Sequence, residues 1–260
     1  MALSSEEKSN IEDILRNSLR RKFETYKPEP ASMPFHTRLL GKDRMALFSF
    51  IHSLNTNFGT SIFEPVALKL AEERFKRAEI QTIAGKEISE LAQIEIQSIM
   101  DDLITARKTP NKVEEIERIR KVCRKGKLKN IKSTKVDVFL EDKNGTLFLF
   151  DIKTAKPNIG GFKEFKRTLL EWTAVILANN PKTIVNTLIA IPYNPYDPEP
   201  YNRWTMKGML DLEKELKVAD EFWDFLGGKD TYKDLLDCFE KVGIELRNEI
   251  DEYFEKYNKT

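Results

Sequence analysis

Residues 135–153 read KVDVFLEDKNGTLFLFDIK and carry the clearest structural signal in the chain. Two runs rich in Val, Phe, Leu and Ile, residues 135–141 and 146–153, are separated by Asp-Lys-Asn-Gly. Apolar β-formers on both sides of an Asn-Gly turn are typical of a β-hairpin. The stretch therefore predicts two antiparallel strands joined by a tight turn.

The length of the turn decides which side chains of this hairpin meet. A two-residue Asn-Gly loop would put Asp137 and Asp151 on opposite faces. A three-residue Lys-Asn-Gly loop places Gly145 in the left-handed conformation that glycine favours, and it sets Asp137 directly opposite Asp151. Lys153 lies two residues further on and points to the same face. The second register predicts a cluster of two carboxylates and one ammonium.

Such a cluster is suited to phosphodiester hydrolysis. Charges inside apolar strands are costly unless they are paired or bind a metal. The carboxylates of Asp137 and Asp151 are the ligands that Mg²⁺ prefers, and a bound ion could lower the pKa of a water and stabilise charge on a phosphoryl oxygen. Lys153 could hold or help activate the attacking water. The alternative is an ion pair on an edge strand with no catalytic role.

Working outward from the hairpin, the remaining pattern is mostly helical. Residues 5–25, 44–54, 87–106 and the segment after Gly161 repeat apolar residues at spacings of 3 and 4. Ser61 and Glu64 fit a capping box at the start of a helix that would end near Ala78. One further apolar strand covers residues 183–191, and helical patterns resume after a loop at 193–203.

This order of elements predicts an α/β fold with a small mixed β-sheet flanked by helices and with extra N- and C-terminal helices. We expect a single domain over residues 1–260. Its parts would be a mainly helical segment at 1–130, a sheet core at 131–195, and a recognition loop with C-terminal helices at 196–260.

Composition limits the class of protein. The chain has 260 residues, 40% of them apolar and 33% charged, with a formal net charge of +1. These values exclude a disordered or collagen-like chain, and no apolar run is long enough to span a membrane. Two cysteines cannot form a disulfide framework, and the N-terminus lacks the apolar core of a signal peptide. We expect a cytoplasmic protein.

Residues 118–135 form a basic block with nine Lys or Arg residues and no acidic residue. Such a block could bind a polyanion despite the near-neutral total charge. It could equally be a solvated, lysine-rich linker. The sequence leaves both interpretations open.

Asp137 followed by Asp151-x-Lys153 resembles the PD-(D/E)XK nuclease motif, although Val136 stands where that motif often has proline. Across nearly the whole chain, the sequence is similar to the TdeIII/MjaII family of type II restriction endonucleases. The similarity rests on PFHTRLLG at 34–41, FGTSIFE at 58–64, FDIKT at 150–154, YNRWT at 201–205 and EFWDFLGG at 221–228.

The resemblance implies a restriction-endonuclease-like core and Mg²⁺-dependent double-strand cleavage of DNA at 5′-GGNCC-3′, leaving 5′-phosphates. It implies a homodimer in which each subunit cuts one strand, and a cognate DNA methyltransferase as a functional partner. Asp137, Asp151 and Lys153 would be catalytic, with the two aspartates as metal ligands. Such nucleases often carry another acidic residue on a preceding helix, and Glu64 matches that place best. Glu64 could instead be only the carboxylate of the capping box.

Basic residues after the hairpin are the candidates for DNA contacts. Arg and Lys read guanine best in the major groove, and a two-fold symmetric site suits a dimer. Arg203 lies in a loop rich in Tyr, Asn and Trp, with Lys207 nearby, so it could read a base, contact a phosphate or stabilise its loop. Lys163, Lys166 and Arg167 share the polar side of the helix after Gly161 and would contact phosphates.

Two other functions fit the same residues. The chain could be a PD-(D/E)XK nuclease of DNA repair or recombination, which would cut without a fixed site. It could also be a catalytically silent DNA-binding module in which the aspartates are structural.

Overall fold

The structure is a computed structural model that describes residues 3–27, 33–131, 135–153, 156, 161–202 and 208–258. Its helices are α1 (Ser5–Thr25), α2 (Pro34–Leu40), α3 (Lys42–Phe58), α4 (Glu64–Ala71), α5 (Glu90–Ile104), α6 (Lys112–Arg120), α7 (Phe162–Asn179), α8 (Leu212–Glu215), α9 (Asp220–Gly227), α10 (Thr231–Glu245) and α11 (Arg247–Asn258). Its strands are β1 (Arg77–Ile83), β2 (Glu87–Ser89), β3 (Leu128–Asn130), β4 (Lys135–Glu141), β5 (Leu147–Ile152), β6 (Val185–Ile191) and β7 (Leu216–Val218).

Five strands form one mixed sheet in the order β1-β4-β5-β6-β7. β1, β4 and β5 are antiparallel neighbours, whereas β6 and β7 add in parallel. The α/β prediction with a small mixed sheet flanked by helices is confirmed. No described helix is long and apolar enough to cross a bilayer.

The central hairpin has the register of the three-residue loop. Val138 pairs with Phe150, and the backbone N–H of Asp142 donates to the carbonyl of Thr146 at 2.9 Å. Gly145 has a φ of +81°, the left-handed conformation that glycine adopts without the clash of a Cβ atom. The turn therefore fixes which face of the sheet each hairpin residue occupies.

Both faces of the sheet are covered by helices. On one face, Phe148 and Phe150 of β5 pack against Phe222 and Phe225 of α9, with ring centroids 5.0–5.7 Å apart. On the other face, α7 packs against β6. Trp172 of α7 is buried, as expected for a core residue.

The chain forms two compact units. The first unit combines residues 1–69 with 228–260, and the second covers residues 70–227 and contains the five-stranded sheet. These bounds do not coincide with the divisions at 130 and 195 expected from the sequence, and the single-domain assignment stays a prediction.

The first unit is built from helices of both chain ends. Arg16 and Arg20 of α1 bind Glu245 and Glu249 at 2.8 Å. Phe23, Phe50, Tyr253 and Phe254 form an aromatic cluster, with centroid distances of 4.9–5.8 Å between contacting rings. The apolar and charged contacts together hold the two chain ends in one unit.

Two local predictions are wrong. The chain is already helical before Glu64, because α3 continues through a π-helical turn, Gly59–Phe63, into α4. Ser61 therefore lies inside a helix and does not cap one. The following helix ends at Ala71, and the segment Arg77–Ile83 forms β1 instead of the end of that helix.

Candidate active site

The two aspartates of the hairpin meet as the three-residue register predicts. Continuing the β4–β5 register by one pair places Asp137 opposite Asp151. At the next position along the two strands, the Asp137 side chain acts as the hydrogen-bond acceptor. Its Oδ2 accepts a hydrogen bond from the backbone N–H of Ile152 at 2.8 Å. Asp151 is buried, with 7% of its surface exposed.

Lys153 completes the cluster. Its Nζ lies 2.6 Å from Oδ1 of Asp151 and 4.8 Å from the centre of the Phe165 ring on α7. That ring packs closely on Gly161, where a Cβ atom would lie only 2.8 Å from Cζ of Phe165. The ammonium is thus held between a carboxylate and an aromatic face, which attracts cations.

Burial raises the pKa of the Asp151 carboxyl to about 7. Lys153 opposes this shift through its charge and hydrogen bond, whereas Asp137 adds to it through charge repulsion and a hydrogen bond. Two close carboxylates in a buried site repel each other, and a cation would relieve that repulsion. A bound cation would therefore stabilise this pair of carboxylates.

The donor set fits a hard divalent cation. Asp137 and Asp151 offer carboxylate oxygens, the ligand type of Mg²⁺, which usually keeps several waters beside one or two carboxylates. Across the described ranges, no group of three or more His, Cys, Asp and Glu side chains is placed to hold a metal. Asp137 and Asp151 would hold the ion together with water.

Gln81 of β1 also belongs to this cluster, although no sequence pattern predicted it. Its side-chain amide nitrogen lies 3.2 Å from Oδ1 of Asp137. Its backbone has a φ of +52°, which is unusual for a residue other than glycine. The alternation of polar and apolar residues in β1 could have indicated a strand. The helix predicted for the preceding residues extended to Ala78 and so overlapped the start of this strand.

Glu64, the other predicted catalytic acid, is buried at the start of α4 in the first unit. Glu64 has an interaction partner within the structure. It is not a capping-box carboxylate, because Ser61 is helical. Its catalytic role stays a prediction.

The three basic residues predicted on α7 have different environments. Lys163 is exposed, and Arg167 donates to Oε1 of Gln97 at 2.7 Å. Lys166 is fully buried and binds Glu115 at 2.5 Å and Glu215 at 2.6 Å. The predicted phosphate contact of Lys166 is therefore wrong, because DNA cannot reach a side chain that is enclosed by its own partners.

Lys166 belongs to a buried ion network that the sequence did not reveal. Lys112 donates to Thr187 at 2.6 Å and to Glu215 at 3.0 Å, and Glu215 also accepts from the backbone N–H of Asp211 at 2.9 Å. Burial favours the neutral form of Glu215, but Lys112 and Lys166 outweigh it and lower its pKa. The network ties α6, α7 and α8 to β6.

Part of the basic block binds other segments of the chain. Arg118 binds Glu95 at 2.5 Å and Asp102 at 3.3 Å, and Arg124 donates to the carbonyl oxygens of Ala178 and Asn179. These arginines connect α6 and the following turn to α5 and α7, so they do not form a solvated linker. Arg203 and Lys207 lie outside the described residues.

A hairpin that carries two aspartates and a lysine, at the junction of the antiparallel and parallel parts of a mixed sheet, defines a restriction-endonuclease-like core. The chain belongs to the HinfI family of type II restriction endonucleases, which its residues 3–243 match. Members of that class are site-specific deoxyribonucleases.

Individual relatives are also named type II restriction enzymes. The chain is 28% identical to the type II restriction enzyme MjaII of Methanocaldococcus jannaschii, over 91% of this chain and 70% of the relative. It is 27% identical to the type II restriction enzyme HgiCII of Herpetosiphon aurantiacus, over 84% of this chain and 80% of the relative.

Proposed function

We propose that this type II restriction endonuclease makes Mg²⁺-dependent double-strand cuts in DNA at 5′-GGNCC-3′ and leaves 5′-phosphates. The observation that carries the chemistry is the cluster of Asp137, Asp151 and Lys153 on one face of the hairpin. The 2.6 Å contact between Lys153 and Asp151 and the burial of Asp151 support it. The GGNCC site rests on the resemblance to the TdeIII/MjaII enzymes.

In this mechanism, Asp137 and Asp151 would hold the metal ion. When bound, Mg²⁺ supplies charge stabilisation at a phosphoryl oxygen and lowers the pKa of a water. Lys153 places its ammonium beside the scissile phosphate, where it orients the attacking water and offsets negative charge. Asp151 and the Phe165 ring fix that ammonium from two sides, so little reorganisation is needed when the phosphate arrives.

DNA contacts come from residues around this face. Lys163, exposed on the first turn of α7, contacts a phosphate, and Arg203 and Lys207, which precede α8 in the sequence, also contact the DNA. An arginine that reads guanine would do so through O6 and N7 in the major groove. Because its substrate is DNA, the enzyme acts in the cytoplasm alongside a methyltransferase that protects the same sites.

We propose a homodimer, since a two-fold symmetric site matches a two-fold symmetric protein. Neighbouring helices α2 and α3 expose Phe35 (84%), Leu39 (82%), Phe48 (49%) and Ile51 (47%). Given about 150–250 Å² for one aromatic side chain, these residues present several hundred Å² of apolar surface. That is a large share of the roughly 800 Å² that each partner buries in a standard interface.

The dimer is tested by light scattering after size exclusion. We expect twice the 30.2 kDa chain mass for the wild type, and a monomer for the double variant Phe35→Glu with Leu39→Glu. Val113→Glu, a matched change at an exposed apolar residue of α6, should stay dimeric. A dimeric double variant would rule out this surface.

A plasmid digest in Mg²⁺ and in EDTA, followed by sequencing of the ends, tests the activity. We expect discrete fragments that end at GGNCC, only with Mg²⁺. Cleavage without a common site would favour the repair or recombination nuclease. Tight binding of a GGNCC duplex without any cleavage would favour the silent module.

A further inference from the structure

The backbone of β1 is strained at one residue that faces the candidate active site. Ile80 pairs with Val138 and Thr82 pairs with Val136, but Gln81, which faces Asp137 between them, is missing from the ladder. Its φ of +52° is left-handed. A non-glycine residue in this conformation costs roughly 1–2 kcal/mol, and such outliers persist where the surroundings enforce them.

The strained residue is bound to Asp137. The Gln81 amide donates to Oδ1 of Asp137 at 3.2 Å, while the backbone N–H of Ile152 donates to Oδ2 at 2.8 Å. Asp137 is therefore held through both carboxylate oxygens, from β1 on one side and from β5 on the other. Its carboxylate plane is fixed relative to Asp151 before any cation binds.

We propose that Gln81 is a positioning residue for Asp137, and that its left-handed backbone keeps the amide on this carboxylate and so raises the affinity of the site for Mg²⁺. The inference rests on the proposed function and assigns a residue to it. Groups that orient a metal ligand change metal affinity about 10- to 100-fold when they are removed.

Replacing Gln81 with glycine distinguishes this positioning role from a purely structural one. At a φ of +52°, glycine carries no Cβ penalty, so Gln81→Gly should relieve the strain while removing the amide. If the left-handed backbone served only the shape of the strand, this variant would be more stable and fully active. If it holds the amide on Asp137, the variant gains stability and loses metal affinity.

Ala106 offers a matched control. It also has a φ of +52°, lies in the exposed turn after α5, and is not part of the site. Ala106→Gly should raise the thermal midpoint as Gln81→Gly does, without changing the site. Gln81→Met keeps the length and the strain but lacks the amide, so it should lose metal affinity without gaining stability.

The experiment measures the thermal midpoint in EDTA, and the Mg²⁺ dissociation constant from the dependence of that midpoint on Mg²⁺ concentration. We expect Gln81→Gly and Gln81→Met to weaken Mg²⁺ binding about 10-fold and to slow plasmid cleavage, with Ala106→Gly unchanged in both. A Gln81→Gly chain with wild-type Mg²⁺ affinity would overturn the inference. A lower midpoint in EDTA for Gln81→Gly would overturn the strain argument.

Failure of the proposed function gives a different result. A wild-type chain whose midpoint does not respond to Mg²⁺ would overturn the proposed metal site, and this inference with it. A wild-type chain that binds Mg²⁺ and cuts DNA, beside a Gln81→Gly chain that does both equally well, would overturn only the role of Gln81.

Discussion

Replacing Asp151 with asparagine tests how far the buried carboxylate lowers the free energy of unfolding when no metal is bound. The carboxyl pKa is raised from 3.8 to about 7, mainly by burial. Below pH 4 the group is protonated in both the folded and the unfolded chain, so it does not affect the free energy of unfolding. Between pH 4 and 7 the folded chain retains a proton that the unfolded chain has lost, so stability falls as the pH rises.

The size of the effect follows from the shift. A change of about 3 pKa units corresponds to about 4 kcal/mol of destabilisation above pH 7. The pKa of about 7 already includes the ion pair with Lys153, which opposes the shift. Asparagine resembles the protonated carboxyl in size and charge, so the variant avoids the whole cost. We expect Asp151→Asn to be more stable by about 4 kcal/mol at pH 8, and to lose this advantage at pH 4.

Urea denaturation in EDTA at pH 4, 6 and 8 measures the difference. Asp237→Asn, an exposed change on α10, is the control and should follow the wild type at every pH. Adding Mg²⁺ should stabilise the wild type and leave Asp151→Asn unchanged. A variant that is less stable than the wild type at pH 8, or a difference that does not depend on pH, would refute the argument.

Three further changes test other parts of the structure. Glu215→Gln leaves Lys112 and Lys166 buried beside a neutral amide, so we expect about 3–5 kcal/mol less stability in urea; a loss under 1 kcal/mol would contradict a buried network. Phe165→Leu removes the aromatic ring that contacts Lys153, so single-turnover cleavage should slow about 5- to 30-fold at unchanged DNA affinity. The control Phe165→Tyr keeps the ring and should retain the rate. Gly145→Ala should cost about 1 kcal/mol because of its φ of +81°, whereas Gly243→Ala, inside α10, should stabilise the chain; equal effects would contradict the turn geometry.

The hairpin could be predicted from sequence because its information is local. Two apolar runs on either side of Asp-Lys-Asn-Gly predict the hairpin, and the preference of Gly145 for a left-handed conformation favours the three-residue register over the two-residue one. That register brings Asp137 and Asp151 together and leaves Lys153 beside them. A cluster made of one hairpin needs no knowledge of the rest of the chain.

The remaining site residues depend on contacts that are distant in sequence. Gln81 reaches Asp137 across 56 positions, and nothing in the segment Arg77–Ile83 signals its left-handed backbone. Lys166 looks like an exposed helix residue until Glu215, 49 positions away, is placed beside it. Partners of this kind are revealed only by the packing of α7 and α8 on the sheet, which local patterns do not encode.

The most direct test of the active site is Asp137→Asn, assayed for DNA binding and cleavage on the same GGNCC duplex. Asparagine keeps the size of the side chain but removes the charge that would bind the cation. We expect duplex affinity in Ca²⁺ within a few-fold of the wild type, and cleavage in Mg²⁺ lowered by at least about 1,000-fold, while Asp237→Asn cuts normally. Cleavage by Asp137→Asn at the wild-type rate would contradict the assignment of this hairpin as the catalytic centre.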